Sequence, residues 1–256
     1  MFALMFFFGC KDPVEAPEDL DQLLSYLYLH AMDDDDDAIN AGIDNLLTFA
    51  QNSEVSLREG FEVAHLSKEA IDSTGEEASF LDEQYGVSLL YDVPFSSEDL
   101  AFCYSSMPLE EVYPEDYKSY EREVLTDLDC FLRKECSTVR FQTNIVTALI
   151  MSAEIYTENI SEMRWFEHEA GSGFVQRTWM KGEGEATVDW ANLRSQYYLG
   201  VTYNTEEGST TVAGSWAVLQ LGDIPVPEDT AINIALKALK RGGEDVTAYL
   251  TENGVP

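Results

Sequence analysis

The spacing of apolar residues changes along the chain and separates a helical part from a mostly β part. Between residues 18 and 51, apolar side chains recur three and four positions apart in two stretches, with the acidic run Asp33–Asp37 between them. This spacing places them on one face of each helix and predicts an antiparallel helix pair. From Val87–Tyr91 onward, apolar and polar residues alternate, which is typical of strands.

The β part also contains predicted helices. Ser96 followed by Asp99 has the pattern of a helix N-cap, and residues 115–128 are predicted as a second helix. Alternating stretches then follow, joined by glycine-rich turns, and they predict an antiparallel sheet. These stretches lie at residues 139–145, 163–167, 175–179, 197–203 and 212–221.

A last helix is predicted after Pro227, because a proline followed by acidic residues favours a helix start. The apolar residues Ile232, Leu236 and Leu239 fall on one side of it, so we expect that side to pack against the sheet. The pair Gly242–Gly243 is expected to kink or divide the helix, since two glycines inside a helix cost about 2 kcal/mol relative to alanine.

These elements predict an α+β fold: an N-terminal helical hairpin, then an antiparallel β-sheet covered by a long C-terminal helix. We expect a small helical domain over residues 18–75 and an α+β domain over residues 80–256. A polar tether is predicted at residues 11–17, because this stretch contains two prolines and charged residues.

From residue 85, the order of elements resembles that of the START-related, or SRPBCC, helix-grip superfamily. Val93–Leu100, with Tyr113–Tyr117, is similar to that superfamily's first strand, first helix and following turn. Leu221–Pro227 is similar to its final strand-to-helix joint. The alternative is a generic α+β domain whose last helix covers one face of the sheet.

Members of that superfamily bind lipids or other apolar ligands between a curved sheet and the last helix. The resemblance therefore implies a cavity in this chain, with a lipid or another apolar small molecule as its partner. The residues expected to line this cavity are Tyr197, Leu199, Trp216, Ile232, Leu236 and Leu239.

Residues 1–10 resemble the end of a bacterial lipoprotein signal peptide, because the apolar run Leu4–Phe8 is followed by Gly9 and Cys10. The resemblance implies cleavage before Cys10 and acyl chains on its thiol, which anchor the protein to a membrane. It also implies the bacterial cell envelope, and Lys11 after the cysteine favours the outer membrane. No basic residue precedes Lys11, so we expect the translation start to lie upstream. The alternative is a cytosolic protein with an apolar N-terminus.

The charge of the chain limits its partners. It has 48 acidic and 15 basic residues, a formal charge of −33 at pH 7. A nucleic-acid partner is excluded because phosphate binding requires a basic surface. Charge also disfavours docking on anionic lipids, so anchoring would depend on the acyl chains. We interpret the acids as a solvated surface, with diffuse binding of divalent cations as the alternative.

The cysteines favour one disulfide. If Cys10 carries lipid, Cys130 and Cys136 can close a short loop in the oxidising envelope, which leaves Cys103 as a free thiol. A zinc site is the alternative, but the spacing of Cys130 and Cys136 is not that of a zinc knuckle and the three histidines lie far apart in sequence. We therefore expect no metal site.

No motif of catalysis or cofactor binding occurs in the sequence. Nucleophile-elbow, zinc-protease, P-loop and dinucleotide-binding patterns are absent, so we expect no catalytic residue, no cofactor and no enzymatic activity. A calcium loop starting at Asp33 would need glycine where Ala38 stands and glutamate where Asp44 stands. A turn followed by a capped helix explains the acidic run better.

Three arginines lie on or beside strands rich in tryptophan and tyrosine. One interpretation is that the three guanidinium groups form an anion clamp. We expect instead that they pair with acids or stack on aromatic rings across the strands. They are Arg164, Arg177 and Arg194.

Together the two resemblances predict a membrane-anchored envelope lipoprotein that binds a lipid or other apolar ligand between the sheet and the last helix. The alternative is a structural or interaction lipoprotein with a solid core and no ligand. Room left beside Gly200 and Gly214 would favour the first function, whereas an interior filled by Trp165, Trp179 and Trp216 would favour the second.

Overall fold

The structure is a computed structural model. It describes residues 14–52, 57–148, 153–169, 171–222 and 228–255. The predicted lipidation site, Cys10, lies outside these residues.

The helices and strands follow the predicted order except at residues 117–124, where a strand replaces the predicted helix. The helices are α1 (Leu20–His30), α2 (Asp37–Asn52), α3 (Lys68–Asp72), α4 (Ser97–Ser106), α5 (Leu109–Val112), α6 (Leu128–Leu132) and α7 (Glu228–Asn253). The strands are β1 (Phe61–Val63), β2 (Tyr85–Val93), β3 (Tyr117–Val124), β4 (Thr138–Ala148), β5 (Glu154–Phe166), β6 (Gly173–Met180), β7 (Glu185–Ala186), β8 (Ala191–Thr205) and β9 (Gly208–Leu221).

One antiparallel sheet contains all the strands of the described residues, in the order β1-β2-β9-β8-β6-β5-β4-β3, with β7 paired to β5. Strand β2 is followed by helices α4 and α5, then by the remaining strands, and the long helix α7 ends the chain. The early strand β2 pairs with the last strand, β9, and the strands between them are joined mainly to their neighbours in sequence. This is the predicted α+β, helix-grip-like fold.

The N-terminal helices cover one face of the sheet, which we call the hairpin face. Helices α1 and α2 pack against each other, as predicted, and their leucines and isoleucines share one hydrophobic core with this face. The buried Arg177 guanidinium ties α1 to the sheet, since it pairs with Glu162 at 2.8 Å and donates to the backbone carbonyl of Tyr28 at 3.3 Å. Residues 20–72 thus pack on the sheet that follows them.

Helices α4, α6 and α7 cover the opposite face, which we call the α7 face. A second hydrophobic core lies there and joins residues of α4 and α6, the buried Val246 and Leu250 of α7, and strand residues such as Phe141 and Phe174. Helix α7 runs mainly along β2, and α4 lies over β6 and β8. Both faces of the sheet are therefore covered.

The prediction of a helix at 115–128 is wrong, because Tyr117–Val124 forms the edge strand β3. A register shift between Tyr117 and Ser119 interrupts the alternation of inward and outward side chains. The charged residues of this stretch are typical of an exposed edge strand but also favour a helix. The interrupted period is the reason the strand pattern was not visible.

The predicted break at Gly242–Gly243 is also wrong, because α7 is one continuous helix of 26 residues. Gly243 packs directly on the ring of Tyr91, where a Cβ would lie 2.8 Å from Tyr91 Cδ2. The glycine permits a close approach of the helix to β2, and this contact explains its place inside the helix.

None of the helices in the described ranges has both the length and the apolar character that crossing a membrane requires.

Candidate functional site

The register of the sheet assigns each predicted cavity residue to a face. Tyr197, Leu199 and Trp216 lie on the hairpin face, where the Tyr28 ring of α1 makes edge contacts with Tyr197 and Trp216 at 6.2 and 6.3 Å. These three side chains are buried among the N-terminal helices. The structure does not bring them together with α7, so their predicted grouping with Ile232, Leu236 and Leu239 is corrected.

The three predicted residues of α7 are half-buried. Leu236 is placed over the α7 face, because its Cδ2 and the Cδ1 of Leu89 lie 2.6 and 3.3 Å from the position that a Cβ would take on Gly60. Ile232 and Leu239 occupy neighbouring turns of the same helix. The stripe predicted from sequence thus lies on the covered side of α7, but it is not fully buried there.

The centre of the α7 face is polar. Cross-strand pairs connect Ser161, Thr178, Tyr198 and Ser215 in one row across four neighbouring strands. Residues paired in this way point to the same face. Gln176 lies in the adjacent row, opposite Gly200. We call these five side chains the polar floor.

Two kinds of contact hold the polar floor. The hydroxyls of Ser161 and Thr178 lie 2.8 Å apart and bond each other. The Tyr198 ring lies along its strand over Gly200, with its hydroxyl 3.0 Å from the position of a Cβ there. Gly200 therefore provides the room in which this ring lies flat. Among the described residues, the Gln176 amide has no hydrogen-bond partner.

Tyrosines lie near the polar floor. Tyr91, Tyr104 and Tyr198 are close enough to act on one another's pKa. The Tyr104 ring meets Phe174 edge-on at 6.2 Å. On the other side, Tyr117 lies 5.8 Å from Tyr113 and 5.4 Å from Tyr120, measured between ring centroids. We call the six residues Tyr91, Tyr104, Tyr113, Tyr117, Tyr120 and Tyr198 the tyrosine cluster.

Burial raises the pKa of every phenol in the tyrosine cluster. For Tyr104, Tyr113 and Tyr198 the pKa lies well above the ordinary value of 10.0, because burial and neighbouring phenols act in the same direction. All six hydroxyls are therefore neutral at physiological pH. A neutral phenol both donates and accepts hydrogen bonds.

The side chains at the centre of the α7 face are nevertheless only partly buried. Gln176, Thr178 and Ser215 of the floor, and all six members of the cluster, keep part of their surface accessible to water. Strands β2, β6, β8 and β9 of this region pack under α4 and α7, and Tyr91, Tyr104, Tyr113, Tyr117 and Tyr120 border the hydrophobic core of the α7 face. We interpret this partly accessible centre, between the sheet and the helices, as a chamber.

One end of the chamber is fixed by Arg122. Its guanidinium donates to the backbone carbonyls of Tyr104 at 2.8 Å and Ser105 at 2.7 Å, at the C-terminal end of α4. It also faces the rings of Tyr120 and Phe141 at 5.2 and 5.5 Å. A cation at this end of a helix is favoured by the helix dipole. Arg122 is thus occupied in positioning α4.

The predicted disulfide is confirmed, since Cys130 is bonded to Cys136 and Cys103 is a buried free cysteine. Burial raises the pKa of the Cys103 thiol to about 12, although Arg122 acts to lower it. The thiol is therefore protonated and unreactive at neutral pH. Nothing about these cysteines resembles a catalytic nucleophile.

The interpretation of the three strand arginines as paired and stacked residues is confirmed. Arg177 pairs with Glu162, and Arg164 pairs with Asp36 of the acidic run. The Arg194 guanidinium lies over the Phe80 ring, 3.5 Å from its centroid. The acidic run is therefore held against the sheet, as a turn before α2. Within the described residues, no group of three or more metal-binding side chains is arranged to hold an ion.

A second depression of about 480 Å³ lies at the far end of the sheet, between β3, β4, β5 and β7. Its lining includes four glutamates, and Lys181 there pairs with Glu158. The depression is open to solvent and acidic, so it offers no apolar enclosure.

The comparisons with known proteins show that the fold of this chain is similar to that of several solved structures. No family model matches the chain, and no curated protein matches it. A START superfamily protein from Mycobacterium smegmatis is 13% identical, with a TM-score of 0.38 over 65% of this chain and 97% of its own. A STAR-related lipid transfer protein from Xanthomonas axonopodis is 8% identical, with a TM-score of 0.41 over 66% of this chain and 85% of its own.

A third solved structure, the di-domain ARO/CYC protein BexL from the BE-7585A biosynthetic pathway, is 12% identical, with a TM-score of 0.45. It covers 84% of this chain and 60% of its own. Because the identities and scores are this low, the helix-grip architecture is identified here by the strand order and by the place of α7, and nothing about ligands follows from the likeness.

Proposed function

We propose that this protein is a binding protein of the cell envelope, whose chamber on the α7 face holds a small, largely apolar molecule. The observation that carries this is the half-buried centre of that face, where the polar floor and the tyrosine cluster lie beneath helices and still contact water. Ligand sites are typically concave, mostly apolar and supplied with a few polar groups that fix orientation.

The half-buried side of α7 supports the same function. Ile232, Leu236 and Leu239 are only partly covered, whereas Val246 and Leu250 farther along the helix are fully buried. Apolar side chains left partly exposed beside a chamber gain contacts when a ligand enters it. The first half of α7 is therefore the part of the helix that a ligand would cover.

The uncharged fluorophore N-phenyl-1-naphthylamine tests this function, because its emission rises when it leaves water for an apolar site. The wild-type protein should bind it saturably, with one probe per chain. The variant Gln176→Trp fills the centre of the floor and should abolish binding. Gln196→Trp, on an exposed part of β8, is the matched control and should bind as the wild type does.

Circular dichroism of both variants separates loss of the chamber from loss of the fold. If Gln176→Trp does not fold, Ser215→Phe fills the same chamber from β9. Absence of saturable binding by the wild type, or unchanged binding by a folded chamber-filling variant, would overturn the proposed function.

We also propose that acyl chains on Cys10 anchor the protein to the outer membrane, which the sequence resemblance supports. In the native host, expressed with its upstream sequence, the wild type should fractionate with membranes. Cys10→Ser should move the protein to a soluble fraction or leave it unprocessed. A wild type found soluble and without lipid would end this part of the proposal, whatever the chamber binds.

A further inference from the structure

We infer that the outer edge of β3 pairs with a strand from a partner protein, an extended segment in which lysine or arginine alternates with apolar residues. This surface lies apart from the chamber, so the inference does not depend on the proposed function. It follows from three features of this end of the sheet: the unpaired backbone groups of β3, the exposed apolar side chains and the acidic side of the strand.

The outer edge of β3 has free hydrogen-bonding groups. Strand β3 pairs with β4 on one side, and no strand of the described residues pairs with its other side. The backbone N–H of Leu125 donates to the carbonyl of Arg140, next to β4, at 2.9 Å. Backbone groups alternate in direction along an antiparallel strand, and the register is regular from Ser119 to Val124. The N–H and C=O groups of Arg122 and Val124 therefore point to the free side, where they can bond another strand.

Apolar side chains are exposed at the same end of the sheet. Val124 and Leu125, at the end of β3, are 40% and 43% exposed, and Tyr156 on β5 is 46% exposed. They are three of the five large apolar side chains that are exposed in the described ranges. Their concentration on the last three strands is typical of a surface that a partner covers.

One side of β3 is acidic. Glu121 is paired through Asn144 with Glu158, and both glutamates line the acidic depression at this end of the sheet. Glu123 points to the same side as Glu121, because side chains two residues apart on a strand share a face. A lysine or arginine of an added strand would lie opposite these carboxylates, where unlike charges stabilise the pairing.

The other side of β3 is apolar and determines the remaining positions of the partner. Tyr120 belongs to the tyrosine cluster, and Val124 lies on the same side of the strand. Every second residue of an added strand would lie beside these side chains, so apolar residues fit there. A second copy of β3 does not fit, because its glutamates would approach those of the first and each chain has a formal charge of −33.

Three labelled peptides test the inference, each with four repeats of a residue pair. The lysine–valine peptide has the proposed pattern, the lysine–proline peptide has the same charge but no proline N–H for a ladder, and the glutamate–valine peptide reverses the charge. Fluorescence anisotropy with the full-length wild-type protein should show saturable binding of one lysine–valine peptide per chain. The other two should bind more weakly by about tenfold or more, the effect of at least one lost hydrogen bond or ion pair.

Two sets of variants locate the binding. Val124→Pro removes an outward N–H and keeps the hydrogen bonds to β4, as proline on an edge strand permits. It should weaken binding of the lysine–valine peptide about tenfold or more. The double variant Glu121→Lys, Glu123→Lys should do the same. Its matched control is Glu244→Lys, Glu252→Lys on the exposed side of α7, which changes the net charge equally and should bind the peptide at least tenfold more tightly than the β3 pair.

Circular dichroism identifies the variants that fold, and the lysine pairs test the surface even if Val124→Pro does not fold. Unsaturable binding of the lysine–valine peptide, or equal binding of the lysine–valine and lysine–proline peptides, would overturn the inference. Unchanged binding by folded Val124→Pro, or equal losses in the two lysine pairs, would also overturn it. A concentration-dependent dimer of the wild type that Val124→Pro abolishes in analytical ultracentrifugation would assign this edge to a second copy instead.

Discussion

Gly243 is the residue at which the last helix comes closest to the sheet. Its position leaves no room for a side chain, because a Cβ would lie 2.8 Å from Tyr91 Cδ2 and 3.1 Å from Cγ. These are the first ring atoms of Tyr91, so the contact is relieved only if the whole ring leaves its rotamer. The neighbouring Gly242 has open space, with Tyr113 Cε1 at 4.0 Å as its nearest contact. Two adjacent glycines thus have different structural roles.

The pair of alanine variants measures that difference. Gly242→Ala should raise the free energy of unfolding by about 0.5–1 kcal/mol, because alanine favours the helix. Gly243→Ala gains the same propensity but overpacks Tyr91, which costs about 1–3 kcal/mol. Urea denaturation should therefore place Gly243→Ala below Gly242→Ala by about 1–3 kcal/mol. Equal stabilities would show that α7 does not approach β2 as closely as described.

Glu98 connects α4 to the hairpin between β8 and β9. Its carboxylate accepts from Asn204 at 3.1 Å and from Lys134, and the Asn204 side-chain oxygen accepts from the backbone N–H of Ser97 at 2.7 Å. Burial alone would raise the pKa of Glu98. The hydrogen bonds from Lys134 and Asn204 outweigh it and lower the pKa to about 2.

A depressed pKa makes this link depend on pH. The link stabilises the folded protein fully above the ordinary pKa of 4.5, and the contribution is lost as pH falls from 4.5 through about 2. Glu98→Gln should therefore lower stability at neutral pH and flatten the loss of stability in that window. Glu252→Gln, on the exposed end of α7, is the control and should leave the wild-type profile unchanged. If Glu98→Gln lost as much stability as the wild type between pH 4.5 and about 2, the hydrogen bonds of Glu98 with Lys134 and Asn204 would not be formed.

At the level of elements, α7 has two halves with different surroundings. Leu250 is 1% exposed and sits in the hydrophobic core of the α7 face, whereas Leu236 is half-buried beside the chamber. Truncating a leucine costs the lost burial and the cavity left behind, and both terms are smaller where the side chain already borders a space. The helix is thus anchored by its second half.

Alanine scanning along α7 tests this division. Leu250→Ala should lower the free energy of unfolding by about 2–5 kcal/mol. Leu236→Ala should cost less than about 2 kcal/mol, since part of its surface is exposed before truncation. Equal, large losses at both positions would indicate a solid core beneath the whole helix and would favour a structural or interaction protein.

The Cys130–Cys136 disulfide closes a short loop around α6, next to α4. The ring of Phe131, within the loop, stacks on Trp165 at 5.1 Å, and the Trp165 indole donates to the Phe131 carbonyl at 2.8 Å. The loop is therefore held by packing as well as by the covalent bond. Its reduction should loosen the chain without removing these contacts.

Removal of this disulfide should cost about 2 kcal/mol, from the chain entropy of a loop of this length. The double variant Cys130→Ser, Cys136→Ser should show this loss in urea denaturation without reductant, and it should respond to dithiothreitol no further. Peptide mapping of the wild type should find Cys103 unmodified. A disulfide that includes Cys103 would contradict the described pairing.

The sequence predicted those elements whose periods are long and unbroken. The helix pair, the strands from 139 onward and the last helix follow from such periods. Edge strand β3 was missed because a register shift breaks its alternation. The sequence also did not show on which face of the sheet Tyr197, Leu199 and Trp216 lie. When helices cover both sides of a sheet, alternation separates two sets of residues but does not say which helix each set meets.

The most informative residues of the chamber were not visible in the sequence. Tyr91, Tyr104 and Tyr117 come from three separate elements and look like ordinary core tyrosines in their own segments. Strand β2 brings Tyr91 into the sheet beside β9, α4 carries Tyr104 over β6 and β8, and Tyr117 lies on β3, which packs against α5. A signal did exist in the polar residues Gln176 and Thr178, which interrupt otherwise apolar strands at positions of one face.

For the molecule as a whole, the two faces of one sheet have different roles. The hairpin face is a solid core, in which Trp216 and Leu199 are buried and Arg177 ties the N-terminal helices down. The α7 face combines packed ends with a water-accessible centre. The N-terminal helices pack on the hairpin face and hold the sheet rigid. A rigid sheet keeps the polar floor and the tyrosine cluster in fixed positions, as a preorganised site requires. The strongly acidic surface surrounds both.

Native mass spectrometry of the protein purified from its host, without organic solvent, tests the chamber most directly. We predict one non-covalent small molecule on each wild-type chain, released by mild collisional activation. Gln196→Trp should retain it and Gln176→Trp should lack it, with both variants folded. A wild-type protein without a non-covalent adduct, or an adduct that persists in folded Gln176→Trp, would contradict a ligand chamber on the α7 face.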